Sequence, residues 1–183
     1  DVLIPRGGAG LIRAVSAQAS VPVIRTGEGV CHIYVDADAD LDMAAELLYN
    51  AKCSRPSVCN AVECVLLHED IAESFLQKAV PLLDRHSVEL RCDAASHSLL
   101  GARAKAAEDA DWDAEYDDYI LAVRVVKDLE EAMAFIADHG TGHSECIVTE
   151  NYTKAQRFLD AVDAAAVYVN ASTRFTDGGE VGM

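Results

Sequence analysis

The chain has 183 residues, 51% of them hydrophobic and 25% charged, and 15 Lys and Arg stand against 31 Asp and Glu for a formal net charge of −16. That is enough for one good-sized domain of ordinary globular composition. The acidic surplus argues against nucleic acid and anionic membrane, either of which would repel it; no apolar run approaches the roughly 20 residues of a membrane span, and no signal peptide is visible.

In chain order, Val2-Leu3-Ile4 is a short apolar run stopped by Pro5. Arg6-Gly7-Gly8 reads as a glycine turn, and Ala9 to Ala19 has helical spacing. Val21 to Ile24 and Cys31 to Val35 are strand patterns separated by Gly27-Glu28-Gly29. Asp36 to Asp42 is an acidic bend in which Asp40 can cap a helix running from Leu41 to about Lys52. Ala61 to His68 reads as a strand, Ile71 to Asp84 as an amphipathic helix with Pro81 near its end, and Val88 to Cys92 as a strand. Asp93 to Asp118 suggests a short helix, an edge strand and an exposed loop. Ile120 to Val126 is a strand, Leu129 to His139 a helix with Gly140 just past it, and Cys146 to Val148 a strand. Asn151 to Val162 is a helix, Ala164 to Val169 a strand, and Asn170 to Gly179 a polar loop. Strands alternating with helices of this length mean α/β architecture with mostly parallel pairing. Ligands of such sheets bind beyond the carboxyl ends of the strands, where the loops after Ile24 and Val169 and the loop around Cys59 are expected to converge.

The stretch from Ala51 to Asn60 carries the chemistry. It sets Arg55, Pro56, Ser57 and Asn60 around Cys59 between a helix and a strand, and strand-flanked polar loops are where a scaffold positions reactive groups. A thiol becomes a nucleophile where cations or backbone N–H groups favour its thiolate, and Lys52 and Arg55 supply charge nearby. A buried, inert Cys59 is the competing reading. The six cysteines lack zinc-type pairing and read as free thiols of a reducing compartment. The six histidines show no ligand spacing, so no metal site is expected. The chain opens inside a strand pattern and stops without a closing element, which reads as a piece of a longer protein.

The strings DVLIPRGGAGLI, GEGVCHIYVD, CSRPSVCN, EYDD, HGTGHSECIVTE and VYVNASTRFTDGG resemble the γ-glutamyl phosphate reductase family of the aldehyde dehydrogenase superfamily, across essentially the whole chain. The resemblance implies an aldehyde-dehydrogenase-like catalytic domain, its mostly parallel sheet flanked by helices. Residues 1–35 would end an NADP-binding, Rossmann-like domain, 36–170 form the catalytic domain and 171–183 begin a truncated return segment. The implied activity is NADPH-dependent reduction of L-glutamyl 5-phosphate to L-glutamate 5-semialdehyde and phosphate, through a thioester on Cys59. Gly7 and Gly8 fall where the superfamily has a loop beside the cofactor. Glu115 falls where it often holds the nicotinamide ribose, although Tyr116-Asp117-Asp118 departs from the usual Phe-Gly-Pro. A substrate with phosphate and carboxylate needs an arginine clamp, for which Arg55 and Arg174 are the choices, with Asn170 and Thr173 as hydrogen-bond donors. No deacylating water is needed, so Glu28 reads as a loop residue and not a base. The family further implies a homo-oligomer of the full-length protein, glutamate 5-kinase as a fused or separate partner, and the cytoplasm, or the mitochondrion for a eukaryotic bifunctional synthase. A hydrolytic aldehyde dehydrogenase and a non-catalytic module are the alternatives, and the 183 residues alone are expected not to turn over.

Overall fold

Runs such as Cys31–Val35 and Val62–His68 are apolar at nearly every position, and such strands need cover on both faces. The computed structural model, which describes residues 1–5, 7, 9–24 and 29–176, provides it. Seven strands pair in parallel: β1 (Cys31–Val35), β2 (Val62–His68), β3 (Glu89–Cys92), β4 (Lys105–Ala106), β5 (Ile120–Val126), β6 (Ser144–Val148) and β7 (Ala166–Val169). Their order is β4-β3-β5-β2-β1-β6-β7. The helices are α1 (Ala9–Gln18), α2 (Leu41–Cys53), α3 (Ala72–Leu83), α4 (Ala94–Leu100), α5 (Leu129–His139) and α6 (Tyr152–Ala161). Ile33, Val35, Val65 and Leu67 face α2 and α3, while Tyr34, Cys64 and Leu66 face Phe135, Ile136 and Phe158 of α5 and α6. The period-two alternation of a strand therefore fills two separate cores.

Helix α2 follows from its sequence. Asp40 accepts from the N–H groups of Asp42 and Met43, and Ala44, Ala45, Leu48 and Ala51 bury one stripe. Pro81 lies inside α3, in its last turn, where it removes one N–H from the helix ladder. The difficult stretch resolves into α4, a short 3-10 turn, the two-residue edge strand β4 and a second 3-10 turn at Asp109–Asp113. On either side of α1, Leu3 and Val23 form an isolated parallel bridge. Strand β1 lies at the middle of the sheet, between β2 and β6. Gly8, Glu28, the loop after Ile24 and residues 177–183 lie outside the described residues.

At the carboxyl end of β1, Asp36 is fully buried and ties three elements together. It accepts from Thr149 Oγ1 at 2.8 Å and from Lys154 Nζ at 2.9 and 3.0 Å. Burial pushes its carboxyl up, but the bonds from Lys154 and Thr149 outweigh burial and hold it below its ordinary 3.8. A depressed carboxyl stabilises the fold above its unfolded value and loses that contribution as pH falls through the folded one. Asp36→Asn is expected to cost about 1–3 kcal/mol at pH 7, the range for losing a charged hydrogen-bond partner. The cost should shrink below about pH 4, where the wild-type carboxyl takes up its proton. Urea midpoints of both proteins between pH 7 and 3 check this; a constant gap across that range would refute it.

Candidate active site

The loop between α2 and β2 carries Cys59. Cys59 is exposed, whereas Cys31, Cys53, Cys64, Cys92 and Cys146 are buried. Burial pushes the thiols of Cys53 and Cys92 up to about 11 and that of Cys146 to about 12, with Cys31 and Cys64 raised further. Those five are held as thiols in the core, where they pack as small hydrophobes.

Gly29 is the wall on one side of the cysteine. A Cβ at that position would stand 1.6 Å from the Cys59 carbonyl oxygen, so only glycine lets the backbones approach. The Gly29 N–H donates to Glu115 Oε1 at 2.9 Å, and the Cys31 thiol donates to the Cys59 carbonyl at 3.4 Å. Glu115 thus grips the segment pressed against the cysteine.

The cysteine loop lies at the amino edge of the sheet, since it leads into β2. This corrects the expected convergence beyond the carboxyl ends: the loop after Val169 leaves β7 at the opposite edge. The two meet because residues 170–176 fold back across the sheet face, packing on β1, β6 and α2. At the start of this return, Asn170 accepts from the Thr149 N–H and donates to the Thr149 carbonyl, both at 2.9 Å. Its amide is committed to the backbone at the edge away from Cys59, so it does not face the cysteine. Next, the Cys146 thiol donates to the Ala171 carbonyl at 3.0 Å. Thr173 is fully buried, and its hydroxyl has no hydrogen-bond partner among the described residues. At the end of the return, Arg174 donates to the side-chain carbonyl of Asn60, and the Asn60 amide donates to the Thr176 carbonyl at 2.6 Å. Arg174 is therefore held at the residue next to Cys59.

Arg55 is exposed in the same loop. Lys52 is not available to it: its ammonium is buried and meets Glu63 Oε2 at 2.6 Å. Gly7 precedes α1 with φ +150, a conformation that favours glycine, and an ideal Cβ there would meet Leu11 Cδ2 at 2.7 Å. Among the described residues, no group of three His, Cys, Asp or Glu is arranged to hold a metal. No helix of the described residues is long and apolar enough to cross a membrane.

Sequence reasoning missed two buried pairs, Lys52–Glu63 and His32–Glu145, the latter with Nδ1 3.0 Å from Oε2. The signal was present for the first. Lys52 falls four residues after Leu48 on the apolar stripe of α2, and Glu63 is a charged residue inside the otherwise apolar start of β2.

The aldehyde dehydrogenase family model matches residues 119–182. All 183 residues align at 59% identity with γ-glutamyl phosphate reductase of Clostridium beijerinckii, covering 44% of it. They align at 56% identity with the enzyme of that name from Halothermothrix orenii, again covering 44%. The crystal structure of γ-glutamyl phosphate reductase from Thermotoga maritima superposes with a TM-score of 0.95 at 50% identity, over 99% of this chain and 44% of that one. An acetylating aldehyde dehydrogenase from Geobacillus thermoglucosidasius shares the fold, with a TM-score of 0.75 at 20% identity over 99% of this chain and 48% of that one. Sheet order, the loop that carries Cys59 and the returning terminal segment therefore define an aldehyde-dehydrogenase-like catalytic fold. Along its whole length the chain is similar in sequence to γ-glutamyl phosphate reductases. It spans 44% of the length of these curated relatives.

Proposed function

We propose that the chain is the cysteine-bearing portion of an NADPH-dependent reductase that converts L-glutamyl 5-phosphate to L-glutamate 5-semialdehyde and phosphate. The observation that carries this reading is Cys59: one exposed thiol, on a loop walled by Gly29, in a chain 55–59% identical throughout to reductases of that name. Residues 1–24 serve as the end of the cofactor-binding unit and residues 29–176 as the catalytic unit.

The Cys59 thiolate attacks the acyl carbon, a carbon–sulfur bond forms, and the bond to the phosphate oxygen breaks. Phosphate is already a good leaving group, so no side chain need protonate it. Arg174, set beside Cys59 through Asn60, counters the charge of the phosphate or of the substrate carboxylate, and Arg55 is the second cation of the same loop. Gly7, with Gly8 beyond the described residues, forms the cofactor turn. Bound NADPH supplies the hydride that reduces the thioester. The carbon–sulfur bond then breaks and the thiolate is restored. Two neighbours carry such cofactors, an engineered glycolyl-CoA reductase with bound NADP+ and a putative methylmalonate-semialdehyde dehydrogenase of Sinorhizobium meliloti complexed with NAD, at 14% and 18% identity. Acyl phosphates are labile, so a kinase acting on the glutamate side-chain carboxylate must supply the substrate nearby. A cytoplasmic homo-oligomer is the form proposed for the full-length protein.

The reverse reaction gives the test. Full-length protein with L-glutamate 5-semialdehyde and NADP+ is expected to form NADPH only when inorganic phosphate is present. NADPH formation without phosphate would mean a hydrolytic dehydrogenase, and none under either condition would mean a non-catalytic module.

A further inference from the structure

We propose that Glu63 is the hub of a buried clamp, with Lys52 as its partner, that positions the Cys59 loop. This deepens the reading above and rests on it for the identity of the reaction, though not for the clamp itself.

The clamp joins three segments. Lys52 lies in the last turn of α2 just before the cysteine loop, and Glu63 lies at the start of β2 just after it. Their side chains meet at 2.6 Å with 0% and 1% exposure, so the loop between them is closed by a contact sealed from water. The pair also reaches a third segment, because the Lys52 ammonium lies 5.8 Å from the centre of the Tyr116 ring. The residue before Tyr116 is Glu115, which grips Gly29 against the Cys59 carbonyl. Tyr116 is itself anchored: its hydroxyl donates to Asp111 Oδ1 at 3.0 Å, and the Arg91 guanidinium lies 5.1 Å from its ring centre. Through the Lys52–Glu63 pair and the Tyr116 ring beside it, the entry to the loop, the exit from it and the wall against it are held together.

The strand pairing marks the same residue. Cys31 pairs with Val62 but His32 pairs with Cys64, so Glu63 is the extra residue of a bulge in β2. Bulges of this kind re-aim a side chain and cluster beside active sites.

Energetics favour a positioning role over a stabilising one. Burial pushes the Glu63 carboxyl up to about 7 despite Lys52, and the same burial lowers the Lys52 ammonium. A buried ion pair gains little net stability over apolar residues of similar volume, because desolvation consumes the attraction. What apolar residues cannot supply is a directional attachment of fixed length.

The test uses the full-length protein with Lys52→Met/Glu63→Met, which removes both charges together, and Lys52→Gln/Glu63→Gln, which keeps a weaker polar link. For the Met pair, kcat is expected to fall about a hundredfold with KM within about threefold, the size of effect that an ångström of misplacement produces. Amide exchange of residues 54–61 should quicken about tenfold while β2 and β5 stay protected, a selective change that plain destabilisation would not give. For the Gln pair, the loop should exchange about threefold faster, so this variant decides the matter if the Met pair does not fold. Unchanged loop exchange in either folded variant, or loss spread evenly over the sheet, would overturn the clamp. If the wild-type protein shows no phosphate-dependent NADPH formation, the proposed reaction fails, and loop exchange still decides the clamp.

Discussion

Replacing Cys59 by alanine in the full-length protein is expected to lower phosphate-dependent turnover by about ten-thousandfold or more, because in the proposed reaction the sulfur forms and breaks the only covalent bond between protein and substrate. Arg174, Asn60 and Gly29 would remain, but none of them carries a nucleophile. The same residue should be the first modified by iodoacetamide. Its thiol is exposed while the other five are buried, and each buried thiol reacts only after an opening. With every 1.4 kcal/mol of opening costing tenfold, labelling at the other five should be about a hundredfold slower or more. Peptide mapping after brief native labelling reads the ratio. Equal labelling of all six, or an alanine variant within tenfold of wild-type turnover, would remove this sulfur from the reaction.

Gly29→Ala is expected to be the most damaging addition of a single methyl group among the described glycines. The new Cβ would lie 1.6 Å from the Cys59 carbonyl oxygen and 2.6 Å from its carbon. Both are backbone atoms, so no rotamer change relieves the contact. The segments must separate by about 1.5 Å or more to reach van der Waals distance, at a cost of about 3 kcal/mol. That movement also stretches the Gly29–Glu115 bond and the Cys31–Cys59 contact. Turnover should fall about a hundredfold even where the protein remains folded, as displacement of the nucleophile alone would produce. Thermal unfolding together with kcat separates the two losses. A variant with wild-type kcat would show that Gly29 does not shape the site.

Much of the framework was legible in the residues. Asp40, Leu48 and Ala51 specify α2, and the continuous apolar run of β2 announces a strand covered on both sides. Cys59 stood out because polar residues surround it where the apolar period lapses. What failed was topology. Residue spacing says that a polar loop exists but not at which end of a parallel strand it finally rests, and the return of residues 170–176 depends on contacts between Ala171 and Cys146 that no local pattern encodes. Asn170 illustrates the difference. Its residue type suits substrate binding, yet its positive φ of 54 and its two bonds to Thr149 make it the corner on which the return begins. Lys52 erred in the other direction: a lysine beside a cysteine suggests a cation for its thiolate, but helical periodicity turns it into the core.

The returning segment also makes a strut. It is fastened at one rim of the sheet through Asn170 and at the other through Asn60, so the two rims are joined by a path that bypasses the strands' own ladder. Force applied near Thr149 reaches the neighbour of the thiol along seven residues of main chain, without any strand having to slide.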